Sequence, residues 1–250
     1  LETFYPEICK LTKLRELNLG RNKLRFIPKE IGNLTELRKL ILEDNRFKFI
    51  PEQIASLKKL EIFSLWNNKL SFVTPKIGEL QNLQFLNLRV NELTYLPPEI
   101  AHLTKLERLD VHDNQLNSLP DNFAQLTSLR HLDLWDNQFE QFPAVLCQME
   151  NLAYLSLESN QIKHLPSEIG KMQSLMELDL RNNQLQSIPA ELGNLKNLQQ
   201  LKLSDNPITE LPPELKNLSD LSVLYIVNTR LTEAEKQKLE QWFPDTDIDF

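Results

Sequence analysis

Asparagine recurs in this sequence at a fixed interval of 23 residues. Apolar residues return in the same phase around each asparagine, and the repeating unit reads LxxLxLxxNxLxxLPxxIxxLxx, with Thr74 in the proline place of the Asn68 coil. A sustained period of this length indicates a repeat architecture, in which each unit buries its apolar face only against its neighbours. The sequence therefore predicts one elongated solenoid. The asparagines of the series are Asn22, Asn45, Asn68, Asn91, Asn114, Asn137, Asn160, Asn183 and Asn206.

Each repeat contains a predicted strand and a predicted turn. In the LxL segment, alternation directs Leu132 and Leu134 inward and Asp133 outward, and successive coils form a parallel sheet. The proline that follows, with apolar residues at every third position, favours 3₁₀ or short helical turns. Because these turns are bulkier than the strands, we expect the sheet on the concave face and the turns on the convex face. The asparagine amide donates and accepts, so its predicted role is to satisfy the backbone where it leaves the strand.

The predicted solenoid covers residues 1–231, and a C-terminal cap covers residues 232–250. The cap begins with Thr232-Glu233-Ala234-Glu235, a capping-box pattern that starts a helix. Leu1 instead falls inside a repeat. Because terminal capping repeats keep solenoids soluble, we expect further repeats before Leu1, or alternatively another chain covering this end.

The formal net charge of -7 argues against the phosphate backbone of a nucleic acid as the main partner. A protein partner with a cationic or mixed-charge surface is favoured. No apolar run is long enough to cross a bilayer. Cys9 and Cys147 occupy the same slot of their coils, where other repeats carry glycine or alanine. This slot is predicted to be small and tightly packed, and the two thiols to be too far apart for a disulfide.

The 23-residue unit resembles the leucine-rich repeat, and the resemblance covers nearly the whole chain. Two groups of proteins share this repeat pattern: repeat proteins of Leptospira-type spirochaetes and eukaryotic intracellular scaffolds. The segment from Thr229 to Phe250, with its Phe243-Pro244 and Ile248-Asp249-Phe250, resembles the C-terminal cap of the spirochaete proteins. That resemblance implies an interaction module that is secreted or at the cell surface, contacts host proteins and is associated with virulence. The eukaryotic alternative implies a cytoplasmic signalling scaffold.

Large side chains are concentrated on the outward face of the strands between the Asn68 and Asn160 coils. Trp, Tyr and Arg dominate binding hot spots, so this patch is predicted to bind a ligand. The alternative is that the aromatic residues only stack on one another along the sheet. The candidate ligand-binding residues are Ile62, Trp66, Phe85, Arg89, Arg108, Asp110, His112, His131, Asp133, Trp135 and Tyr154.

Asp110 and Asp133 are predicted neighbours whose charges repel unless Arg89, Arg108 or a cation of the partner compensates them. The four residues nearest to a metal-ligand set are Asp110, His112, His131 and Asp133. Ligands two apart on a strand are separated by about 7 Å, so no closed metal site is predicted there. A zinc ion that bridges two molecules through this face is the alternative.

No glycine-rich phosphate loop, HExxH, GxSxG or CxxC motif occurs in the sequence. An open sheet also lacks the enclosed cavity that supports a transition state. The sequence therefore predicts a non-enzymatic module, without a cofactor, that binds a protein ligand through its concave sheet. The alternative function is a structural or scaffold protein that self-associates through its N-terminal edge or a metal-bridged face.

Overall fold

The computed structural model describes all 250 residues. The chain divides into two compact units, Leu1–Leu129 and Arg130–Phe250. Both units are built from the same coil, which consists of a three-residue strand, an exit loop and a 3₁₀ turn. No helix has the length and hydrophobicity that a membrane span requires.

The strands of the first unit pair in parallel and in register, with Leu17 opposite Leu40 and Phe63 opposite Leu86. Its strands are β1 (Glu16–Asn18), β2 (Lys39–Ile41), β3 (Ile62–Ser64), β4 (Phe85–Asn87) and β5 (Arg108–Asp110). Its 3₁₀ turns are Pro6–Lys10, Lys29–Asn33, Glu52–Ser56, Pro75–Glu79, Pro98–His102 and Phe123–Gln125.

The second unit has the same parallel pairing and ends in a helix, α1 (Glu233–Trp242). The helix begins after Thr232, whose hydroxyl accepts a hydrogen bond from the backbone N–H of Glu235 at 3.3 Å. This confirms the predicted C-terminal helical cap. The strands are β6 (His131–Asp133), β7 (Tyr154–Ser156), β8 (Glu177–Asp179), β9 (Gln200–Lys202), β10 (Val223–Tyr225) and β11 (Asp247–Asp249). The 3₁₀ turns are Ala144–Gln148, Ser167–Lys171, Ala190–Asn194 and Pro213–Asn217.

The core of each coil is formed by the two leucines of the LxL segment and the apolar residue of the following turn. Leu86, Leu88 and Ile100 are fully buried, for example. Burying such a side chain contributes roughly 1.5–3 kcal/mol. The leucine or methionine after each turn closes it, as the N–H of Leu57 donates to the carbonyl of Ile54. Strand, turn and burial pattern thus confirm the predicted repeat solenoid.

The recurring asparagine satisfies backbone groups of two consecutive coils, as predicted. The Nδ2 group of Asn160 donates to the carbonyls of Leu134, Leu157 and Glu158 at 3.0–3.1 Å. Its Oδ1 accepts from the N–H of Phe139 at 3.0 Å. Because Leu134 and Phe139 belong to the preceding coil, Asn160 ties its coil to the one before it, and the same pattern joins coils within each unit at Asn45, Asn68, Asn91, Asn114, Asn183 and Asn206.

The cysteine slot is buried, as predicted, and both cysteines are free. Burial raises the pKa of Cys147 to about 11, and the nearby Glu168 acts in the same direction. A thiol with so high a pKa is a poor nucleophile at neutral pH, which favours a packing role over a reactive one.

The residue before each asparagine, and before Thr229 at the tenth place, has a left-handed backbone conformation, a feature that the sequence pattern did not predict. Asp, Asn and Ser tolerate this conformation better than a β-branched residue does. Val90, with a φ of 54°, is the β-branched member of the series. The series is Arg21, Asp44, Asn67, Val90, Asp113, Asp136, Ser159, Asn182, Asp205 and Asn228.

Val90→Asn is expected to raise the free energy of unfolding by about 1 kcal/mol, because asparagine adopts this backbone conformation with less strain. Urea denaturation followed by circular dichroism measures the change. Val227→Asn is the matched control, since Val227 is also half-buried but lacks a positive φ, and no gain is expected there. A stability of Val90→Asn at or below that of the wild type would show that the strain is absent.

Candidate functional site

The outward face of β3, β4 and β5 carries the predicted site residues of the first unit. Register places Ile62, Phe85 and Arg108 side by side in one row across these strands. Trp66 and Arg89 lie two residues beyond the ends of β3 and β4. All five side chains are at least partly accessible to solvent.

Two arginines in this region cover aromatic rings. The guanidinium carbon of Arg89 lies 4.4 Å from the ring centroid of Trp66, and that of Arg108 lies 5.5 Å from the ring centroid of Phe85. Such cation–π contacts hold the long arginine side chains against the sheet. We call Trp66, Phe85, Arg89 and Arg108 the aromatic–arginine cluster.

Arg89 contains a buried donor that has no acceptor. Its Nε atom is inaccessible to solvent and makes no hydrogen bond. A buried charged group that lacks one of its hydrogen bonds is destabilising, and native proteins seldom retain one without a reason. The aromatic–arginine cluster therefore contains a hydrogen-bond donor without an acceptor, next to the half-buried indole ring of Trp66.

Asp110 and His112 were predicted to face solvent, but the structure buries both. The Asp110 carboxylate is 2% exposed, and the guanidinium of Arg108 donates to its two oxygens at 3.0–3.2 Å. The predicted compensating cation is therefore Arg108. The Nδ1 atom of His112 lies 3.0 Å from a carboxylate oxygen of Asp113.

The burial extends to other residues in the middle of the outward face, because longer neighbours fold over them. In the first unit Ser64 and Asn87 are buried at the ends of their strands. In the second unit Asp179 is buried beneath Arg181, which donates to both of its carboxylate oxygens. These three buried residues and Asp110 are therefore withdrawn from a ligand, whereas Asp133 and Ser156 of the same row remain partly accessible.

The second unit brings His131, Asp133 and Tyr154 together on β6 and β7. The rings of His131 and Tyr154 lie 5.7 Å apart, and Tyr154 is 39% exposed. They border a shallow hollow of about 160 Å³ that Ser156 and Glu177 complete. Trp135 is half-buried, and its backbone N–H donates to Asp133 at 3.1 Å.

A charged network next to this hollow was absent from the predicted site, because only large side chains had been considered there. Arg181 bridges Glu158 and Asp179, with its Nη2 atom 2.6 Å from an oxygen of each. Lys202 pairs with Glu177 and lies 3.9 Å from Asp179. Burial raises the pKa of Glu158, and Asp179 adds to the effect while Arg181 opposes it. The hydrogen bond to Asp179 raises the pKa of Arg181. Charged residues of opposite sign spaced one repeat apart, such as Glu158 and Arg181, were the sequence signal that could have indicated this network.

Comparison with known proteins identifies the class of protein. The family model "Leucine-rich repeat region" matches residues 62–153 and 143–241, and the model "Leucine rich repeat" matches residues 6–47. The chain therefore belongs to the leucine-rich repeat family. No enzyme family is indicated by these matches. No curated protein sequence matches the chain.

Among solved structures, the chain is similar to a leucine-rich repeat protein of Leptospira interrogans, at 33% identity over 99% of this chain and 75% of that one, with a TM-score of 0.71. It is also similar to the plant peptide hormone receptor RGFR1 in complex with RGF2, at 30% identity over 92% and 43%, with a TM-score of 0.72. The third is the ectodomain of the receptor kinase GASSHO1/SCHENGEN3 of Arabidopsis thaliana, at 32% identity over 92% and 32%, with a TM-score of 0.71. The chain spans less than half the length of either plant receptor.

Proposed function

We propose that this protein is a non-enzymatic binding module that recognises a protein or peptide ligand on the outward face of its sheet. The observation that carries the proposal is the buried, unpaired Nε donor of Arg89 beside the ring of Trp66. A carbonyl or carboxylate of a ligand that shifts the Arg89 side chain would supply the missing acceptor, and the apolar neighbours of that group would cover the indole.

The similar plant receptors support this class of function. RGFR1 was solved with RGF2, and GASSHO1/SCHENGEN3 with CASPARIAN STRIP INTEGRITY FACTOR 2. The finer proposal is a secreted or surface-exposed protein that contacts a host protein, and it rests on the resemblance of the repeat and the C-terminal cap to the spirochaete proteins. The formal net charge of the whole chain is -7, which favours a ligand with a cationic or mixed-charge surface.

The decisive experiment compares ligand capture by the wild type and by a Trp66→Ala/Phe85→Ala variant, starting from an extract of the candidate host. Each captured partner is then purified and its Kd measured for both proteins. Truncating two hot-spot side chains is expected to weaken binding at least about thirtyfold, which corresponds to about 2 kcal/mol.

The matched control is Lys58→Ala/Lys59→Ala, which removes two exposed side chains that follow the Glu52–Ser56 turn, and its Kd is expected to equal that of the wild type. Circular dichroism confirms that both variants are folded. Equal affinity of the wild type and the aromatic variant would contradict binding at this cluster. If no partner is captured, the molecular mass of the protein is measured at several concentrations, with and without a chelator. A mass that rises with concentration only when the chelator is absent favours the alternative, a protein that self-associates through a metal-bridged face.

The charge of Asp133 provides a further arm of the same experiment. If its carboxylate faces a cation of the ligand, Asp133→Ala weakens binding more at low salt than at high salt, because salt screens the exposed pair. An unchanged affinity at both salt concentrations removes Asp133 from the site.

A further inference from the structure

Four exposed aromatic side chains form a second row in the first unit, away from the outward face of the strands. They occupy the same position of four successive coils, four residues after the recurring asparagine. Such large apolar side chains are normally buried, and a repeated exposed set marks an interaction surface. The same position of later coils carries Ser, Gln, His or Glu instead. The row consists of Phe26, Phe49, Phe72 and Tyr95, which are 62%, 39%, 40% and 51% exposed.

Cations accompany this aromatic row. The exposed positions one and three residues before the aromatic residue are basic in several of these coils, and Glu92 is the acidic exception. A hollow of about 360 Å³ lies among the cations at the Phe26 end of the row. The cations are Lys23, Arg25, Arg46, Lys48 and Lys69, and all but Lys23 line this hollow.

The cations of the hollow have no ion-pair partner in the protein. Lys23 approaches Glu2 at 4.0 Å, whereas Arg25, Arg46, Lys48 and Lys69 form no ion pair. Lys58 and Lys59 of the same unit, by contrast, pair across coils with Glu79 and Glu36. The hollow is therefore bordered by four cations whose charge no carboxylate of the protein neutralises.

We propose that this flank binds the surface of an anionic lipid bilayer. The rings of the aromatic row insert at the boundary between headgroups and acyl chains, where aromatic side chains are favoured. The lysines and arginines extend to the lipid phosphates, which attract clustered basic residues. The hollow provides room for one headgroup among four cations.

A bilayer fits the row better than an acidic protein segment does. Three of the four rings are phenylalanine and offer no hydrogen-bonding group that would select a particular partner. The ring centroids of Phe26 and Phe49 are 6.0 Å apart, so neighbouring rings of the row form a continuous apolar edge. A fluid bilayer surface can adapt to such an edge. The outward face of the strands stays open to a ligand, so this proposal is independent of the proposed function.

The test is sedimentation of the full chain with vesicles of phosphatidylcholine alone and with vesicles that also contain phosphatidylserine. We expect binding to the second kind only, and a decrease in that binding as salt is added. Phe26→Ala/Phe49→Ala/Phe72→Ala is expected to lower the partition coefficient at least about tenfold, since partitioning scales with buried apolar area. Arg25→Gln/Arg46→Gln/Lys48→Gln is expected to abolish the preference for phosphatidylserine.

The matched control is Gln141→Ala/His164→Ala/Ser187→Ala, which alters the same position of three coils in the second unit and is expected to bind like the wild type. Unfolding curves establish that every variant is folded. Absence of binding to both kinds of vesicle overturns the proposal, and so does equal binding of the phenylalanine variant. Binding of soluble polyglutamate but not of vesicles would assign the flank to an acidic protein segment. A dimer in sedimentation that the phenylalanine variant abolishes would assign it to a second copy.

Discussion

Replacing Asn160 by alanine is expected to lower the free energy of unfolding by about 3 kcal/mol. The change removes four hydrogen bonds and leaves the buried N–H of Phe139 without its acceptor. The carbonyls of Leu134 and Leu157 lose a donor in the same place. The loss is large because an unsatisfied buried group incurs its full desolvation cost.

Urea denaturation measures this loss, and Gln161→Ala is the matched control because Gln161 is adjacent but exposed. Its effect is expected to stay within about 0.5 kcal/mol. Asn160→Asp retains the acceptor for Phe139 but removes the three donor bonds. It also buries a carboxylate charge against three carbonyl oxygens, so its loss of stability is expected to be at least that of alanine. Wild-type stability of Asn160→Asp at neutral pH would show that the three donor bonds contribute nothing.

The second large effect is expected at Gly193, where alanine should lower the free energy of unfolding by about 2 kcal/mol. A Cβ atom at Gly193 would lie 2.2 Å from the backbone oxygen of Glu214 in the adjacent turn. Relief of that overlap requires separation of the turns Ala190–Asn194 and Pro213–Asn217. Lys216 fits the equivalent slot of the last turn with its side chain exposed.

Thermal and urea unfolding of Gly193→Ala provide the measurement, with Gly20→Ala as the matched control. The nearest atom to a Cβ at Gly20 is the flexible side-chain oxygen of Asn18 at 3.2 Å, and little change is expected there. If both substitutions had equally small effects, the turns would have to be loosely packed.

Sequence periodicity predicted the fold well because each structural role recurs once per coil. Leucines of the LxL segment, the asparagine and the turn residue appear at the same place in each repeat, so each inference was tested many times along one chain. The left-handed backbone conformation of the residue before the asparagine was not predicted, because Asn and Asp are also common in ordinary loops. Val90 at that position even argues against a positive φ.

The candidate site was harder to predict, since it depends on side-chain conformation. Strand alternation correctly directed Asp110 outward, but it contained no information that Arg108 would fold over its carboxylate. The unpaired Nε atom of Arg89 was equally inaccessible to pattern analysis. The aromatic row can be read from the sequence, four residues after each of the first four recurring asparagines. Phe26 and Tyr95 lie outside the strands, however, and the predicted site included only residues on the outward face of the strands.

The recurring asparagines constrain how the length of such a repeat chain can change. Because neighbouring coils within each unit are joined by the same asparagine bonds in the same register, loss or duplication of one whole period brings together surfaces that already fit. An insertion of any other length in the strand or the exit loop shifts an asparagine out of reach of the carbonyls it serves. Genetic recombination between repeats is therefore tolerated in steps of 23 residues, and the extent of the binding surface is adjustable by whole coils.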